Sequence, residues 1–61
     1  MILRLCLKDG SSIHIEGEMD DINDQASHNR FIKVINYNTK KEEMYNKDFI
    51  WCIRISSKNN Q

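Results

Sequence analysis

LCLKDGSSIHIEG, residues 5–17, is the stretch that decides the fold. Leu5 and Leu7, then Ile13 and Ile15, alternate with polar or charged neighbours, the period of a strand with one buried face. Asp9-Gly10 between the two runs marks a tight turn. A two-residue loop there would set Leu5 opposite His14, the apolar side of one strand against the polar side of the other. A three-residue loop, Lys8-Asp9-Gly10, pairs Leu7 with Ser11, Leu5 with Ile13 and Leu3 with Ile15, so that opposed residues share an apolar face. It also places Gly10 where the backbone turns left-handed and glycine costs least. The other face then carries Arg4 across from His14 and Ile2 across from Glu16. The three-residue loop is the expectation.

Working outward, Gly17 reads as a bulge or bend. The run EMDDINDQASHNR after it is polar and acidic, and Met19, Ile22 and Ala26 fit either one short helical turn or a long loop. Residues 31–37 read as a third strand, 38–41 as a turn and 42–45 as a fourth strand. Asn46-Lys47-Asp48 is a tight connection into a last strand over residues 49–55. No long window has a helical period, so the chain reads as all-β. In the last strand Phe49, Trp51, Ile53 and Ile55 make one apolar face, and Ile50, Cys52 and Arg54 a second, mostly apolar one. A strand apolar on both sides is normally covered on both sides. The expectation is therefore a homo-oligomer whose interface includes Ile2, Cys6, Ile50 and Cys52.

Sixty-one residues make one small domain, read as residues 1–55 with a polar tail at 56–61. A chain of this size buries only ~60% of the surface its unfolded form exposes, which favours assembly. Nine basic and nine acidic side chains give a net charge of zero, not the balance of a protein that holds nucleic acid by bulk electrostatics. The charge is uneven: residues 1–30 carry three basic against six acidic groups, residues 31–61 the reverse. The halves either neutralise each other within the fold or offer an acidic surface to a basic partner. No run approaches ~18 apolar residues, so no membrane span or membrane partner is expected. Met1-Ile2-Leu3-Arg4 does not open a signal peptide. Cytoplasmic residence follows as an expectation, with Cys6 and Cys52 as reduced thiols. More than a third of the chain is Ile, Lys and Asn, residues with A/T-rich codons.

Five strands, a DG hairpin first and a tight connection before the last strand resemble a small SH3-like or Sm-like barrel, here with one long acidic loop. EEMYNKDFIWCI, residues 42–53, resembles the second motif of the bacterial Sm-like RNA chaperones, the Hfq family. That resemblance implies RNA near Tyr45 and Lys47, and a contact between subunits along residues 49–55. In size and composition the chain also resembles the small proteins of phages and mobile elements, which block or sequester host factors.

Chemistry is read mostly by what is missing. Cys6 or Cys52 with His14 lacks an orienting third group and an oxyanion site, so no enzymatic activity is expected. Cys6, Cys52, His14 and His28 lack the paired spacing of a zinc site. The acidic run lacks the ligand spacing and glycine of a calcium loop. No cofactor is expected. The candidate ligand contacts are Arg4 and Arg54 as phosphate clamps, with Tyr45 as a stacking surface and Lys47 beside it. The candidate surface for a host protein is the acidic loop, with Glu18, Asp20, Asp21 and Asp24. The expectation is a non-enzymatic binding protein that inhibits a host factor or sequesters its nucleotide signal. An Sm-like RNA-binding oligomer and a purely structural subunit are the alternatives.

Overall fold

In the computed structural model, which describes residues 1–60, the Lys8-Asp9-Gly10 loop joins strands β1 (Ile2–Leu7) and β2 (Ser12–Glu16) in the expected register. Leu3 opposes Ile15, Arg4 opposes His14 and Leu5 opposes Ile13. The Leu7 amide donates to the Ser11 carbonyl at 2.8 Å, and Gly10 takes φ +94°, a left-handed value that suits glycine. The Asp9 carboxylate accepts from the Ser11 hydroxyl at 2.6 Å and from its amide at 2.8 Å. Those two bonds, the hydroxyl's first, hold the Asp9 carboxyl below its ordinary value.

Strands β3 (Phe31–Asn36), β4 (Glu42–Asn46) and β5 (Ile50–Ile55) complete an antiparallel sheet in the order β4-β3-β2-β1-β5. The sheet is open, with β4 and β5 at its edges, so the strand-rich architecture expected from the sequence stands without a closed barrel. Between β2 and β3 the chain forms a ten-residue helix, α1 (Met19–His28), which corrects the expected long acidic loop. Asp, Asn, Ser and His are poor helix formers, and only three residues of the ten form an apolar stripe. Those three, Met19, Ile22 and Ala26, sit at helical spacing and all pack on the core, with Ile22 buried. Asp20 and Asp21 in the first turn and His28 in the last complement the helix dipole. Tertiary burial, rather than propensity, makes this helix.

The core is Leu3, Leu5, Ile15, Ile22, Ile32 and Val34. It lies on the face of the sheet that α1 closes, with Leu7, Ile13, Tyr45, Ile50 and Ile53 half-buried around it. β2 and β3 pair through only Ile15–Asn36 and Glu16–Ile35. Where they part, Gln25 of α1 replaces a strand. Its amide nitrogen donates to the Lys33 carbonyl at 3.1 Å, and its amide oxygen accepts from the Lys33 amide at 2.8 Å. A primary amide carries the same donor and acceptor as a peptide unit, so one side chain satisfies both backbone groups of Lys33.

The last strand departs from strict alternation. Arg4–Arg54, Leu5–Ile53 and Cys6–Cys52 are opposed, but Leu7 is opposed by Ile50, so Trp51 is an extra residue in a bulge. The bulge moves Ile50 from the outer face, where period two puts it, to the core side. It also leaves Trp51 66% exposed, and Phe49 and Ile55 are exposed as well, so the expected single face of four apolar residues does not exist. β5 ends at Ile55, and the first residue of the expected tail still bonds to the sheet. Ser56 is buried and its amide donates to the Ile2 carbonyl at 3.0 Å. A short 3-10 turn follows over Ser57–Asn60, and Gln61, the end of that tail, lies outside the described residues.

Candidate functional site

Residues opposed across antiparallel strands share a face, so the register assembles the outer face of β2-β1-β5 row by row. One row is His14, Arg4 and Arg54, with Arg4 at the centre. The next is Ser12, Cys6 and Cys52. Arg4 and Arg54 are exposed, whereas His14, Cys6 and Cys52 are half-buried. The Arg4 Nε donates to the Ser12 hydroxyl at 3.3 Å, and the Arg54 guanidinium lies 5.8 Å from the centroid of the Trp51 ring. Among the described residues the ion pairs fall elsewhere: Lys40 with Glu16 at 3.6 Å, His28 with Asp24 at 3.5 Å, and the N-terminus with Glu18 at 3.6 Å. Two guanidinium groups therefore stand opposite one another, and Glu16, a carboxylate on the same face, is paired with Lys40 instead. Like charges placed so are destabilising, and an anion between them relieves the repulsion.

Of the expected ligand contacts, the structure brings Arg4 and Arg54 together and puts the other two to different use. Tyr45 lies half-buried on the core face and its hydroxyl donates to a Glu43 carboxylate oxygen at 2.8 Å. Burial first, and then Glu43, pushes the phenol up to about 12. The Lys47 ammonium donates to the Ala26 carbonyl at 2.6 Å, in the last turns of α1, where a cation suits the helix dipole. Neither is a free surface for stacking or phosphate. Tyr37 is occupied too, with the Lys40 ammonium 4.1 Å and the Lys58 ammonium 5.3 Å from its ring centroid.

Of the expected interface residues, Ile2, Cys6 and Cys52 lie on the outer face with the arginines, and Ile50 does not. The acidic residues are set along α1, with Glu18 as its N-cap. Glu18 and Asp21 line a cleft of about 210 Å³ together with Glu16 and Glu42. Among the described residues no three His, Cys, Asp or Glu side chains converge in a way that would hold a metal ion. A second cleft, of about 440 Å³, lies between the end of α1 and β3–β4, with Arg30 and Lys33 beside the exposed Phe31 and Met44. No described helix is long and apolar enough to cross a membrane.

Sequence reasoning missed Trp51, which it took for core. The alternation of residues 49–55 is unbroken on paper, and only the pairing with β1 exposes the extra residue. The signal available was the chain's one tryptophan sitting three residues before a cation, Arg54. No family model matches this chain, and no curated protein or solved structure matches it either.

Proposed function

We propose that the protein is a non-catalytic binding module for a phosphate-bearing ligand, held on the outer face of β2-β1-β5. The observation that carries this reading is Arg4 standing opposite Arg54 with no ion pair to a carboxylate among the described residues. Planar guanidinium groups bind phosphate oxygens in pairs, and two of them on neighbouring strands fit one phosphate or two linked ones. Trp51, exposed beside Arg54, provides an aromatic face for a base. A nucleotide satisfies both features. A small protein of the phage type that holds such a ligand would act by withdrawing a nucleotide signal from the host factor that reads it.

Because Trp51 is the only tryptophan, its fluorescence reports on the site directly. Titration with ADP should quench it saturably. Arg4→Gln combined with Arg54→Gln should weaken binding about tenfold or more, equivalent to at least ~1.4 kcal/mol. Binding unchanged in that variant, or no quenching at all, rejects the assignment. A short oligouridylate that binds better than ADP, with affinity falling steeply in salt, would instead favour the RNA-binding reading.

A second reading, self-assembly, has its own support. Both edge strands are uncovered, and Met44 on β4 with Trp51 and Ile55 on β5 is exposed. Such edges are templates for strand pairing. Native mass spectrometry of the untagged chain distinguishes a multimer from a monomer, and Ile55→Lys should reduce the multimer to single chains.

A further inference from the structure

The Cys6–Cys52 pair is used by neither reading. The two residues are directly opposed on β1 and β5, face outward, and are half-buried rather than part of the core. Their pairing type follows from the hydrogen bonds on either side. The Ser56 amide donates to the Ile2 carbonyl at 3.0 Å and the Lys8 amide to the Phe49 carbonyl at 2.9 Å, so even-numbered residues of β1 turn their backbone groups toward β5. Cys6 and Cys52 are therefore a hydrogen-bonded pair, with Cα atoms about 5.5 Å apart. That separation is within the span of a disulfide. The bulge at Trp51, immediately beyond, interrupts the ladder and increases local twist, which gives β5 freedom to bring the two Cβ atoms together.

We propose that Cys6 and Cys52 form a half-buried, outward-facing dithiol that small-molecule disulfides of the glutathione type convert reversibly into an intramolecular disulfide. One cysteine loses its proton, and the thiolate attacks a sulfur of the small disulfide. A protein–glutathione mixed disulfide forms and one glutathione thiolate leaves. The second cysteine then loses its proton and attacks the protein sulfur of the mixed disulfide, which expels the second glutathione. In sum, two protein thiols and one small disulfide give one protein disulfide and two small thiols; the two electrons and two protons pass to glutathione. Partial burial, then the hydrogen bond with the opposite thiol, raises the Cys6 thiol above its ordinary value, while Arg4 and Arg54 draw it the other way. A disulfide across a hydrogen-bonded strand pair is strained and so of the easily reduced kind, and excess reduced glutathione returns the dithiol. In the oxidised form β5, which has only β1 as a neighbour, is tied covalently to the sheet beside the two arginines.

The test is intact-mass measurement of the whole chain after incubation with oxidised glutathione. The expected product is about 2 Da lighter than the reduced chain, carries no glutathione and reverts with dithiothreitol. Cys6→Ser and Cys52→Ser, treated the same way, should each keep one glutathione, because no second thiol is present to expel it. Wild-type chain that retains glutathione on both cysteines, stays unreacted, or forms a covalent dimer overturns the proposal. The wild-type result decides the matter even if a serine variant fails to fold.

Discussion

The two parts of this sheet are held together in different ways. On one side β2, β1 and β5 form ladders in which nearly every residue has an opposed partner, interrupted at the Trp51 bulge. On the other, β3 and β4 pair along their length but meet β2 at only two residues, and α1 fills the gap. The first region is built from backbone hydrogen bonds, and its β1–β2 register follows from a single turn. The second depends on particular side chains: the Gln25 amide standing in for a strand, and Lys47 closing the end of α1. A backbone ladder tolerates substitution at most outward positions, whereas a side chain that replaces a strand is specific to its residue type.

That contrast can be broken experimentally. The largest effect belongs to the shared core. Leu5→Ala leaves a cavity at the centre of β1 and should cost ~2–5 kcal/mol, enough to unfold much of so small a domain, as urea denaturation would read. If Leu5→Ala is mild, the ladder region is not the anchor described above.

A smaller and more local loss is expected at the seam. Gln25→Ala removes two exposed hydrogen bonds to the Lys33 backbone, which water partly replaces, and should cost ~0.5–1.5 kcal/mol. Hydrogen exchange should quicken at the Lys33 amide and through α1, with the β1–β2 hairpin little changed. Gln25→Glu sharpens the point, because it keeps the acceptor for the Lys33 amide but sets a carboxylate oxygen against the Lys33 carbonyl. Equal exchange rates in Gln25→Ala and wild type would mean that the amide does not replace a strand.

The smallest effect is one of pH. Tyr45 has a folded value of about 12, above the ordinary 10, so its protonated form is favoured by the fold. Its contribution is complete below pH 10. Between pH 10 and about 12 the unfolded chain loses the phenolic proton while the folded chain keeps it, so stability falls as pH rises through that window. Tyr45→Phe should flatten this slope in thermal melts taken across the window. An unchanged slope would place the titration in another group.

The hairpin was legible because its determinants are local. Leu3, Leu5, Ile13 and Ile15 define a face, and only one loop length puts them on the same side with Gly10 at the left-handed position. The pairing of Arg4 with His14 followed without further information, and so half of the candidate anion face could be read from residues 3–15. The helix was not legible, since Met19, Ile22 and Ala26 are too few to declare a period among poor helix formers. Tyr45 and Lys47 misled for a related reason. An aromatic and a cation near a turn have the same composition whether they face solvent or close a core; Glu43, which engages Tyr45, is a near neighbour on the same strand face, but the Ala26 carbonyl that engages Lys47 lies on a distant helix.

By itself the sequence determined the strands of the first hairpin, their register and its turn, because alternation and turn chemistry act over a few bonds. Tertiary structure alone decided three things: the bulge that turns Ile50 inward and Trp51 outward, the helix that fills the gap beside β3, and the meeting of Arg4 with Arg54 and of Cys6 with Cys52. Each depends on a partner about 43–52 residues away or on burial against a distant face, as in the pairing of β1 with β5. A sequence period records which side chains share a face. It does not record which other strand that face will meet.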